Sequence, residues 1–193
     1  MNISKLFVAA FCLVLFCAFS VPSAVMADEW DQATKLTFSE SVEVPGKVLS
    51  AGSYWFKLLD DDSNRNLVQI WNSDRTHLIT TILAIPDSRQ RATDNTVIKF
   101  DERPGDRPEA IEAWFYPGET DGHEFVYPRT RASELAKQNA RPVLYLRDEV
   151  ASKAQPSALK QEPVKALSPT GDEVEIKDVL QQPIPVPKEA DPQ

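Results

Sequence analysis

His77 and His123 are the only imidazoles in the 193-residue chain, and the second stands in the run Asp121-Gly122-His123-Glu124. An imidazole beside a carboxylate offers groups that titrate around neutrality, which general acid–base chemistry requires. With Glu112 and Asp101 upstream, His123 and Glu124 make the candidate acid–base set. A hydrolase of polysaccharide or another envelope substrate would use two such carboxylates on either side of the scissile bond. Zinc draws three or four ligands from His, Cys or carboxylate, and adjacent residues are poorly placed to ligate together, so no metal is expected. Asp60, Asp62 and Asn64 alternate like the opening of a calcium loop, yet Arg65 stands where the tight-turn glycine belongs and Trp71 where the bidentate glutamate belongs. That run reads instead as a solvated turn of Asp, Ser and Asn.

The candidate ligand-binding residues are Trp55, Trp114 and Tyr116. In Tyr54-Trp55-Phe56 and Trp114-Phe115-Tyr116, side chains alternate between the two faces of a strand. If Tyr54, Phe56 and Phe115 face the core, Trp55, Trp114 and Tyr116 form a strip able to stack on sugar rings or on a protein partner. The competing arrangement covers both faces and makes all six core residues. Arginines recur in loops as Arg89 and Arg91, Arg103 and Arg107, Arg129 and Arg131; converging, they would hold an anion, and apart they pair with nearby aspartates. No nucleophile-elbow serine, phosphate-cradling glycine loop or dinucleotide fingerprint occurs in the sequence, and no cofactor is expected.

The N-terminus says where these residues work. Lys5 is followed by an apolar run from Leu6 to Phe19 and then by Pro22, Ser23 and the small-residue site Val25-Met26-Ala27, the pattern of a secretory signal peptide cleaved after Ala27. The run is shorter than the roughly 20 residues a membrane span needs, so no span is expected after cleavage and the protein is placed in the periplasm or outside the cell. Removing residues 1–27 takes away Lys5 and no acid, making the product one unit more negative than the −8 of the whole sequence. Nucleic acid is therefore not an expected partner, since it needs a concentrated positive field. Cys12 and Cys17 leave with the signal peptide, so the remaining fold is stabilised by burial, without a disulfide.

The elements that must position the candidates are strands. Short β-branched and aromatic runs separated by turn residues predict strands over Thr34–Val44, Ser53–Leu59, Leu67–Asn72, Thr76–Ile85, Thr96–Glu102, Glu109–Tyr116 and Val143–Leu146. Pro45-Gly46 stops the first, and Ser73-Asp74-Arg75 makes a hairpin connection. Asp121–Glu124 reads as a loop. A helix after Thr130 places Ala132, Leu135 and Ala136 on one face and ends at Asn139. The fold class expected is mainly β: a single β-sandwich or open β-barrel of about seven strands with one short C-terminal helix, over residues 28–150. From Ala151 onward aromatics vanish and prolines accumulate (Pro156, Pro163, Pro169, Pro183, Pro185, Pro187, Pro192). Residues 151–193 are expected to be a disordered Pro-rich tail, with ordering only around Glu173–Leu180.

Val44–Leu59, Val68–Ile70, Thr80–Pro86, Ala113–Gly118 and Glu124–Pro128 together resemble a group of small exported bacterial proteins with no assigned function. The resemblance covers about residues 28–147 and implies a secreted β-rich domain; it assigns no site residue. The function expected is a non-enzymatic exported β-domain that binds a protein partner or a cell-envelope component such as a polysaccharide, with a tail that acts as a spacer or docks on another protein. The carboxylate-based hydrolase is the alternative.

Overall fold

The computed structural model describes residues 33–60, 66–101 and 107–180. The expected signal peptide, Asp62, Asn64, Arg65 and Arg103 lie outside the described residues. The larger sheet contains β1 (Ala33–Phe38), β2 (Val42–Val44), β3 (Lys47–Leu49), β4 (Gly52–Asp60), β5 (Asn66–Asn72), β6 (Leu78–Ser88), β7 (Val97–Asp101), β8 (Glu109–Phe115) and β9 (Asp121–Phe125). Seven of these form one antiparallel series, β1-β4-β5-β6-β9-β8-β7. The hairpin β2–β3 joins it through a parallel contact of β2 with the start of β8. A single groove is lined by both end strands, β1 and β7, so the sheet curls into an open barrel. Residues expected to form one strand, Thr34–Val44, make two, β1 paired with β4 and β2 paired with β8, because exposed Ser39, Glu40 and Ser41 turn the chain between them.

Period-two alternation builds the barrel's interior. Thr34, Phe56, Ile70 and Thr80 stand side by side across four strands, and Leu58, Val68 and Ile82 form the next row. The Phe56 ring meets Trp114 edge-on at 5.8 Å and stacks on Phe125 at 6.4 Å, arrangements that suit the quadrupoles of aromatic rings. Three register shifts bend the series, as bulges do by adding a residue to one strand. The extra residue on β6 is Ile79, whose carbonyl accepts a hydrogen bond from Lys47 Nζ at 2.8 Å, so the β2–β3 hairpin is fastened to β6.

The central strands are apolar on their other face as well. Leu67, Leu83 and Ile85 are buried under a second layer comprising β10 (Tyr127–Pro128), α1 (Arg129–Asn139), β11 (Val143–Leu146), α2 (Asp148–Lys153), α3 (Pro156–Gln161), β12 (Lys165–Leu167), β13 (Glu173–Val174) and α4 (Ile176–Leu180). β10–β13 make their own sheet, with β10 parallel to β11 and the other pairs antiparallel. Helix α1 buries Ala132, Leu135 and Ala136 as its spacing requires. Thr130, expected to precede that helix, lies inside it, and its backbone N–H and hydroxyl donate to the Asp148 carboxylate at 3.0 and 2.7 Å, so the free amide is satisfied from α2. No described helix is long and apolar enough to cross a membrane.

The expected tail divides. Residues 181–193 lie outside the described residues, whereas 151–180 are built into the second layer. Composition obscured this because few apolar residues are needed: Leu159, Ala166 and Val179 each fill a place against Leu67, Leu83, Leu144 and Leu146. The prolines are compatible with it, since Pro156 sits at the start of α3, where its missing N–H costs nothing. A two-pronged ion pair, Arg147 Nε to Glu162 at 2.5 Å and its Nη2 at 2.7 Å, ties the start of α2 to the end of α3. We predict that Leu159→Ala costs about 2–5 kcal/mol, the range for a buried leucine, measured by urea unfolding. A chain ending at residue 150 should be unable to fold without aggregating; an equally cooperative transition in that chain would contradict the second layer's role.

Candidate functional site

The groove between β1 and β7 has a volume of 810 Å³. Leu36 and Phe38 enter it from β1, Ile98 and Phe100 from β7, and all four are partly buried against the barrel core. Its rim carries Glu40, Arg107 and Glu109, all exposed. Among the described residues, β1 pairs only with β4 and β7 only with β8. The backbone groups on both outer edges are thus available, a condition proteins ordinarily cover or blunt.

The candidate acid–base residues separate by face. Asp101, Glu112 and Glu124 come together on the outward face of β7, β8 and β9, joined by Asp87 of β6, Lys99 of β7 and Arg141, which follows α1. Glu112 reaches the group because it is the bulge residue of β8: Lys99 pairs with Ala113 and Phe100 with Ile111, which leaves Glu112 unopposed. Lys99 Nζ lies 3.2 Å from Asp87 and 3.7 Å from Glu112. Arg141 lies 3.2 Å from Glu112 and also grips Asp101 through Nε at 3.0 Å. The second oxygen of Asp101 is buried without a hydrogen-bond partner among the described residues.

His123 points the other way. It is buried inside the barrel, its Nδ1 is 2.9 Å from the Asn66 amide nitrogen, and its ring lies 5.4 Å from Trp114. Consecutive strand residues cannot share a face, so His123 cannot assist Glu124, and the expected four-residue set is corrected to three of its carboxylates joined by Asp87 and two cations. Asp121–Phe125 is a central strand and not a loop. Sequence hid it because Asp, Gly, His and Glu have poor strand propensity. The glycine is required there: a Cβ on Gly122 would come within 2.3 Å of the Phe115 ring lying over it.

Within the cluster, burial pushes the Glu124 carboxyl well above its ordinary range, and the neighbouring Glu112 carboxylate adds to this; Arg141 and Lys99 only partly oppose it. Burial likewise raises Glu112, against the pull of Arg141 and Lys99. For Arg141, burial works against its charge, but Asp101, Glu112 and Glu124 outweigh it and hold the guanidinium charged. The arrangement is a compensated ionic knot under the second layer, away from the groove. Among the described residues, no three His, Asp or Glu side chains are arranged to hold a metal ion.

The aromatic candidates also divide. Trp114 is 0% exposed and faces the interior with Tyr116, their rings 4.5 Å apart. The expected strip is therefore corrected: the phase differs between strands, so Phe56 shares its face with Trp114, while Phe115 faces outward under Arg89 and Lys99. The Trp114 indole N–H has no hydrogen-bond partner among the described residues. Trp55 alone of the three is on the outer face, half-buried beside Trp71, under the Arg75 guanidinium at 3.8 Å, with its N–H donated to the Ser73 carbonyl. Arg89, Arg129 and Arg131 go to separate places. Arg89 binds the Glu119 carbonyl, Arg131 pairs with Glu43, and Arg129 lies over Tyr145. Comparison with protein-family models, with curated proteins and with solved structures finds no match for this chain.

Two predictions follow from this geometry. Gly122→Ala should destabilise by about 1–3 kcal/mol, as overpacking does, and restoring room with Phe115→Leu in the same chain should recover part of the loss in thermal unfolding. Because the raised carboxyl of Glu124 binds its proton more tightly folded than unfolded, its contribution to stability is full on the acid side and is lost as pH rises from about 4.5 through the folded value. Glu124→Gln removes that proton linkage, so it should gain on the natural protein with rising pH in urea titrations from pH 5 to 9; parallel slopes would contradict the assignment.

Proposed function

We propose that the chain is an exported, non-enzymatic β-domain that binds a protein or another component of the cell envelope at the groove between β1 and β7. The observation that supports this reading is the meeting of two open strand edges with four apolar side chains, Leu36, Phe38, Ile98 and Phe100, in one 810 Å³ groove. That volume lies in the range of about 300–1,000 Å³ common for ligand sites. Export rests on the signal-peptide pattern of residues 1–27. The hydrolase alternative has less support, since Asp101 and Glu112 are engaged by Lys99 and Arg141, and Glu124 sits buried in the same cluster, rather than aligned along the groove.

The test uses residues 28–193 immobilised and titrated with cell-envelope protein fractions and with purified polysaccharides. Thr96 lines the groove without belonging to the core, so Thr96→Trp fills the groove and should abolish saturable binding with the circular dichroism spectrum unchanged. Equal binding by that variant would place recognition elsewhere, and Trp55→Ala in parallel would reveal whether the outer tryptophan carries it.

A further inference from the structure

We propose that the occupant of this groove is an extended polypeptide strand from a partner protein, running antiparallel to both β1 and β7, with apolar side chains at alternate positions and a basic side chain at its N-terminal end. The inference rests on the groove being the binding site. Direction comes from topology. Each of the pairings that lead from β1 through β4, β5, β6, β9 and β8 to β7 reverses the chain, so the two open edges run the same way. They cannot complete the antiparallel alternation with each other, whereas one added strand of opposite direction pairs with both and closes the barrel at eight strands, as full closure removes edges.

Side-chain chemistry comes from period two. Leu36 and Phe38 are two residues apart, as are Ile98 and Phe100, and both pairs face the core. A strand between them turns every second side chain toward the same apolar interior, so those positions must be apolar, as in other cases of strand addition to an open edge. Charge complementarity gives one end, because Glu40 just past β1 and Glu109 beside the last residue of β7 both lie where an antiparallel strand would begin. Glu40 and Glu109 stand exposed at the rim with no ion-pair partner among the described residues, against the single cation Arg107, on a chain of net charge −8; a basic strand end is favoured there. The chain's own residues 181–193 suit the groove poorly. Pro183, Pro185 and Pro187 fall on alternate positions and would remove every N–H on one side of such a strand.

The probe is a fluorescent peptide of alternating valine and threonine with lysine at its N-terminal end, titrated into residues 28–193. Two controls are the same composition with the valines grouped, and the alternating peptide with glutamate at that end. The alternating lysine-ended peptide should bind at least tenfold more tightly than either, Glu40→Lys with Glu109→Lys should reverse the end preference, and hydrogen exchange should slow in residues 33–38 and 97–101 together. Equal binding of all peptides, protection of one edge alone, or a dimer with both edges protected before peptide is added would each overturn the inference. If no peptide binds while Thr96→Trp still abolishes capture of an envelope component, the strand inference falls and groove binding stands; if Thr96→Trp has no effect either, both fall.

Discussion

The architecture depends on β5 and β6 being buried on both faces. Val68, Ile70, Ile82 and Ala84 fill the barrel, while Leu67, Leu83 and Ile85, one residue out of step, require a second cover. A curled sheet alone would leave that second set in water, and apolar burial is the main favourable contribution available to a fold whose described residues contain no cysteine. The chain answers with β10–β13 and four short helices, whose own conformational preferences are weak and whose order comes from packing on the sheet.

The outward face is not apolar throughout. Toward β7 and β8 it changes to Asp87, Lys99, Asp101, Glu112 and Glu124, and the second layer meets it with Arg141. Desolvating so many charges is expensive, and the mutual attraction of paired charges largely offsets rather than exceeds that cost. What such a knot supplies is selectivity of alignment: Arg141 satisfies Asp101 and Glu112 only when the turn after α1 sits over the β8 bulge.

Much of the fold was legible from residue order. Strands over β4, β5, β8 and β11, the hairpin at Ser73–Arg75 and the buried face of α1 follow from alternation, turn chemistry and helical spacing. Strand β9 was not, because its hydrogen bonds, the Phe115 ring over Gly122 and the cations facing Glu124 all come from other strands. Nor were residues 151–180, where a few well-placed apolar side chains outweigh a polar composition. Of the site, the nearness of Asp101, Glu112 and Glu124 was visible and the opposite facing of His123 follows from alternation. Arg141 carried no signal as a lone arginine before a proline, and a groove made by two strand edges is a property of curvature, which no local pattern encodes.

The parallel contact of β2 with β8 has a consequence for the order in which the molecule assembles. Val42 and Glu109 are register partners although most of the barrel's strands lie between them in sequence, whereas β4 and β5 each pair with their immediate successor. Closing so long a loop delays reward until its ends meet, and topologies rich in such contacts fold slowly. The meander from β4 to β6 can therefore form early, during or soon after synthesis, but its two apolar faces await pieces that emerge at opposite times: the β2–β3 hairpin is already present, and α3 and α4 arrive last. Between those moments the chain is at its most adhesive, and a chaperone that held the meander until α4 was delivered would have most effect there.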